Sequence, residues 1–150
     1  MNPIDTARML TEQVAHATLC TLSASGSPYC SLTAMSWFQA QPMIHASALA
    51  RHRRNFDQNA EVSLLLMTPD NWQMSDPMVG SRLSLAGTIR QLPGSETMAA
   101  RENFLQRHPQ AATYVDLPDF DYFVVDVADA YLVAGFGQIH TIAPTDLNPA

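Results

Sequence analysis

Short alternating apolar runs joined by turn residues, with helical periodicity confined to three places, leave this chain few folds to choose from. "ATLCTLSA" alternates from Ala17, "SGSP" supplies turn residues, and "YCSLTAMSWF" resumes, so the two runs read as a hairpin. "QAQP" is a second short turn before the brief run "MIHAS". "AEVSLLLM" reads as a buried strand and "SRLSLAGTIRQL" as a long one, with Leu83, Leu85, Gly87 and Ile89 on one face. Gly87 marks a bulge or a close backbone approach. "TPDNWQMSDPMVG" between them reads as loop, and "DYFVVDVADAYLVAGFG" gives one or two closing strands.

The first helical pattern spans Pro3 to Ala17, with Asn2 as N-cap. In the second, Ser47 caps a helix running to about Asn59, with Leu49 and Phe56 on its core side. "PGSETMAARENFLQRHP" is the third, with Ser95 at its start and Pro109 as its stop. A doubly wound sheet would alternate strand and helix strictly. These helices stand only at the start, after the third strand and before the last strands, which predicts a mainly β fold: a small antiparallel barrel with peripheral helices, one domain over 1–150.

With 150 residues, 47% hydrophobic and 15% charged, the chain can bury a core. Its net charge of -6 argues against a general nucleic-acid binder, which needs a broad basic surface. No apolar run approaches the roughly 20 residues of a membrane span, and the N-terminus lacks a basic region followed by an apolar core, so a cytoplasmic protein is expected. Cys20 and Cys30, without a CxxC partner, read as buried free thiols.

The positive charge is local. There is no lysine, and three of the eight arginines crowd beside His52 in "HASALARHRRNFDQNAEVSLLL". A helix capped by Ser47 would place Arg51 and His52 near free backbone N–H groups and the positive end of the helix dipole, where phosphate is the natural guest. The guanidinium of Arg51 can hold two phosphate oxygens at once, with Ser47 and His52 adding single hydrogen bonds. The competing reading is a solvated helix whose arginines pair with Asp57 and Glu61.

"GSPYCSLTAMSW", "MIHASALARHRRNFDQNAEVSLLL" and "DPMVGSRLSLAGTI", in this order and at these separations, resemble the FMN-binding split-barrel family of pyridoxamine 5'-phosphate oxidase-like proteins. The likeness is closest to the haem-utilisation branch, whose closing Gly-Gly-Phe-Gly stretch "YLVAGFGQI" resembles. The resemblance implies a homodimer of two barrels with an FMN at each of two sites across the interface. It places backbone contacts to the flavin on Ser31, Leu32, Thr33 and Ala34, and further contacts on His45, Ala46 and Ser47. The basic pair that grips the FMN phosphate falls on Arg51 and His52, where many relatives have Arg-Lys, and Arg82 matches a strand that reaches the flavin from the partner subunit. Small residues such as Ser31, Thr33, Ala34 and Ala46 let strand backbone approach a flat ring closely.

The resemblance also implies exclusions. Pyridoxamine phosphate oxidases close with an Arg-x-His motif that clamps the substrate phosphate, and "GFGQIHTIAPTDLNPA" has none, so vitamin B6 oxidation is not expected. Haem-degrading relatives carry a further C-terminal domain for which 150 residues leave no room, which weakens a haem role for His140. Trp37 and Trp72 read as core or interface anchors. Asp119, Asp121, Asp126 and Asp129 read as solvated strand faces rather than metal ligands. The expected function is an FMN-dependent oxidoreductase acting on a small-molecule substrate, with a non-catalytic flavin- or haem-binding protein as the alternative.

Overall fold

The computed structural model describes residues 1–148. Helix α1 (Pro3–Gln13) begins as expected: Pro3 stands in its first turn, and the Asn2 side chain accepts the Asp5 N–H at 2.9 Å. It stops four residues earlier than its periodicity suggests, because Val14 turns extended and His16 already belongs to β1 (His16–Leu22). The Ser23–Ser27 turn leads into β2 (Pro28–Phe38). Gln39 and Ala40, both at positive φ, make the tight turn into β3 (Gln41–Ser47).

Helix α2 (Arg51–Gln58) precedes β4 (Glu61–Met67). The stretch expected as loop contains a short helix α3 (Pro69–Gln73) and a 3-10 turn at Pro77–Val79, each opened by a proline. β5 (Arg82–Gln91) is followed by α4 (Thr97–Arg107). Ser95 does not cap α4: it lies inside a 3-10 turn, Gly94–Glu96, that feeds the helix directly. The closing strands are β6 (Phe120–Gly135) and β7 (Gln138–Ile142).

The sheet order is β3-β2-β1-β4-β5-β6-β7, and β3 also pairs with β6, so the first six strands close into an antiparallel barrel. β6 serves two partners on one side, β3 along Phe120–Val124 and β7 along Ala130–Gly135. Closure is incomplete at one place. β2 meets β3 only over Met35–Phe38, so its stretch Pro28–Ala34 is paired with β1 on one side and, among the described residues, with no strand on the other.

Alternation fills the barrel with Leu19, Met35, Ile44, Leu64, Leu85 and Leu132, each essentially inaccessible, and Ala7 and Leu10 of α1 join the same cluster. A second cluster outside the barrel packs Phe104 and Ala100 of α4 onto Phe38, Met43, Tyr122 and Val124. Leu83, Leu85 and Ile89 are buried as expected, and Gly87 stands at a register shift where the paired β6 residues pass from Asp129 to Val127.

Candidate functional site

The β3–α2 connection differs from its expected form. Ser47 is the last residue of β3, and its hydroxyl donates to the Asp119 carboxylate while accepting the Leu49 N–H at 3.1 Å. The N-cap is Ala50, with no side-chain cap. Ser47 is thus committed to a local turn rather than to the helix, and Leu49, expected on the core side, is 78% exposed at the tip of that turn. The first helical hydrogen bond runs from Arg54 N–H to Ala50 C=O, so the amides of Arg51, His52 and Arg53 have no acceptor within the helix.

The three arginines divide. Arg53 holds Asp57 and Asp121, each at 3.1 Å, and lies over the Phe123 ring, so it ties α2 to the barrel. Of the pairing with Asp57 and Glu61, only the Asp57 half is realised. Arg51 and Arg54 are the only two of the eight arginines with neither a hydrogen bond nor a carboxylate partner among the described residues. Both line a groove of about 430 Å³ with Ser23, Ser27, Tyr29 and Asn55, and Arg51 sits 5.1 Å from the Tyr29 ring centre. Tyr29 escaped the sequence reading; its signal is an aromatic two residues before Ser31 on the same strand face.

His52 is half-buried, with its Nδ1 3.0 Å from the Ser31 hydroxyl. Burial pushes its pKa down, so at neutral pH it offers a hydrogen bond and not a charge. The Ser31–His52 bond joins the start of α2 to the unpaired stretch of β2. The Met35 N–H donates to the Ala15 carbonyl, which fixes the alternation along β1–β2. By that alternation Ser31 and Thr33 direct their amides to β1, whereas Leu32 and Ala34 direct theirs to the open side. Leu32 is 74% exposed there.

The remaining predicted positions sort differently. Thr33 and Ala46 are buried inside the barrel, so their small side chains do not open a path to the strands as expected, and their main chains belong to the ladders with β1 and β6. Arg82 donates to the carbonyls of Met78 and Gly80 and steadies the 3-10 turn. Trp37 packs against the core, and Trp72 is 68% exposed beside Leu32 in a hollow on the outer barrel face. Asp121 and Asp126 are ion-pair partners of Arg53 and Arg90. Among the described residues no three metal-ligating side chains converge, and no helix is long and apolar enough to cross a membrane.

His45 faces the outer cluster, stacked between Phe120 and Tyr122 with ring centres 4.7 and 4.5 Å away. It is 8% exposed, and neither ring nitrogen has a partner among the described residues. Burial lowers its pKa to about 4, against the weaker opposing pull of Asp121, Asp116 and Asp119. Between the unfolded value near 6.5 and about 4, the unfolded chain holds a proton that the folded chain refuses, so stability falls as pH falls through this window. His52 and His108, also lowered by burial, act in the same direction. Urea unfolding at pH 7.5 and 4.5 should differ by up to about 3 kcal/mol from His45 alone, and His45→Phe should flatten that dependence.

A mainly β, closed six-stranded antiparallel barrel with peripheral helices, open along part of one strand beside a helix start that carries uncommitted guanidinium groups, defines a split-barrel protein. The chain belongs to the family described as CREG, beta-barrel, whose model matches residues 2–148. A haem-binding protein from Mycobacterium smegmatis is 28% identical, with a TM-score of 0.89 over 98% of this chain and 61% of its own. A protein of unknown function from Agrobacterium tumefaciens is 27% identical, with a TM-score of 0.84 over 98% of this chain and 60% of its own. This chain therefore spans about three-fifths of the length of both. A Clostridium acetobutylicum protein of the pyridoxinephosphate oxidase family, 13% identical with a TM-score of 0.70 over 97% of this chain and 96% of its own, shares the fold. No curated protein matches the chain.

Proposed function

We propose that this chain binds FMN at the start of α2 and works, as a homodimer, as an FMN-dependent oxidoreductase on a small substrate. The observation that carries this reading is the meeting of two unsatisfied features: an unpaired β2 edge and a helix start with uncommitted arginines, joined by the Ser31–His52 bond. The residues fit the group. A ribityl phosphate carries close to two negative charges at neutral pH and three acceptor oxygens, which match the three acceptor-less amides of Arg51, His52 and Arg53 and the guanidinium of Arg51. With the Ser31 hydroxyl donating to Nδ1, His52 presents Nε2–H as one more donor. The outward amides of Leu32 and Ala34 and the Leu32 carbonyl suit the hydrogen-bonding edge of a flat ring.

When bound, FMN supplies hydride or electron transfer between two small molecules. The chain's own residues bind and orient: Arg51 and the helix amides fix the anionic end, and Ser31 fixes the His52 ring. Leu32 and Trp72, both exposed and lining the same hollow, support a second copy seated on the outer barrel face.

The likeness to a haem-binding protein supports a second reading, haem binding without flavin chemistry. A visible spectrum separates the two. FMN should raise the melting temperature and lose fluorescence on binding, and the bound flavin should bleach with NAD(P)H and recolour in air. A Soret band with no response to FMN selects haem, and bound flavin that stays inert selects a non-catalytic flavoprotein.

A further inference from the structure

Cys20 and Cys30 stand opposite each other across the β1–β2 hairpin, on the outside of the barrel, with their sulfurs 3.3 Å apart. Both are free thiols, as expected, but neither is buried: Cys30 is exposed and Cys20 half-buried, because this face of the hairpin is not covered. The alternation set by the Met35–Ala15 hydrogen bond makes Cys20–Cys30 a non-hydrogen-bonded pair. At such pairs opposing Cα atoms stand closest, about 4.5 Å apart, which lies within the roughly 4.4–6.8 Å that a disulfide spans. Cys20 also borders a hollow of about 570 Å³ shared with Ser63, Ala86 and Asp129, which leaves room for a small reagent.

We propose that Cys20 and Cys30 are a reversible dithiol–disulfide couple that exchanges with low-molecular-weight disulfides. Cys30, the exposed partner, attacks as thiolate one sulfur of the external disulfide; that S–S bond breaks, one external thiolate leaves and takes up a proton, and Cys30 carries a mixed disulfide. Burial, and next the adjoining Cys30 thiol, raise the pKa of Cys20, so it stays protonated until its turn. Cys20 then releases its proton to solvent and attacks Cys30 Sγ, the Cys20–Cys30 bond forms, and the second external thiolate departs. The two cysteines lose two electrons and two protons; the external disulfide gains them and becomes two thiols. The new bond lies one residue from Ser31 and stiffens the strand that holds His52. None of this depends on which cofactor the chain binds.

The test is to incubate the reduced full chain with excess oxidised glutathione at neutral pH, then count thiols and weigh the chain without reductant. Both thiols should disappear together, the mass should fall by that of two hydrogen atoms with the chain still monomeric in denaturant, and dithiothreitol should restore both. In Cys20→Ser the glutathione adduct on Cys30 should persist, and in Cys30→Ser reaction should slow at least about tenfold. Retention of both thiols, a lasting adduct on the unsubstituted chain, a bond between two chains, or undiminished reaction in Cys30→Ser would each overturn the couple.

Discussion

Arg51→Ala is expected to weaken FMN binding by about 1–3 kcal/mol, or roughly 5- to 150-fold, the loss of a charge-assisted hydrogen bond to a phosphate. Arg51 is the first residue of α2, beside the free amides, and among the described residues it has no carboxylate to leave, so its contribution is not offset by a broken ion pair. Two controls sharpen the result. Arg54→Ala should cost less, because Arg54 sits a turn further along the helix, where its own amide already donates to Ala50. Arg53→Ala should instead lower stability through Asp57, Asp121 and the Phe123 ring. The affinity of the unsubstituted protein should also fall with added salt, less steeply in Arg51→Ala. Fluorescence titration of FMN reads the affinities and urea unfolding reads Arg53→Ala, and equal affinities for the parent and Arg51→Ala would remove Arg51 from the site.

Gly87→Ala should be the most damaging single methyl group in the barrel. A Cβ there would stand 2.0 Å from the Asp126 carbonyl oxygen and within about 3 Å of Asp126 C and Val127 Cα, all of them backbone atoms. β5 is held on both sides, by β4 and by β6, so neither neighbour can move without breaking its own ladder. We expect a loss of about 3 kcal/mol or more, at the upper end of what overpacking costs. Gly94→Ala is the matched control: nothing lies within 4 Å of its added methyl, and its effect should stay within about 0.5 kcal/mol. Urea midpoints at unchanged slope would measure both. Equal stabilities would mean that the bulge relaxes and that the close approach at Gly87 is dispensable.

The fold was legible because its signals are local. Alternation in "ATLCTL" and "SLTAMSW" fixes which face is buried, and Asn2–Pro3 opens a helix by backbone chemistry alone. Signals failed where a distant partner decides. Ser47 has the composition of a cap, but Asp119, 72 residues away in sequence, takes its hydroxyl. Leu49 fits a helical wheel that the chain does not adopt until Arg51. β7 lacks an apolar run of its own and exists because the far half of β6 needs a neighbour. The candidate site was legible in part. Spacing and resemblance led to Arg51 and His52, yet the sorting of Arg53 into structure and of Arg51 and Arg54 into an unclaimed pair depends on Asp121 and Tyr29, which only the folded chain brings near.

The gap in the ladder along β2 has a cost for the protein when nothing occupies it. Polar main-chain groups left facing outward on a strand flanked by exposed Leu32 form a template on which a foreign strand can grow, as on any unguarded sheet edge. A molecule bound there, as proposed, would also work as a stopper that keeps the hairpin from recruiting its neighbours. On that proposal the empty form is the adhesive one, and solubility becomes a property of the complex rather than of the polypeptide.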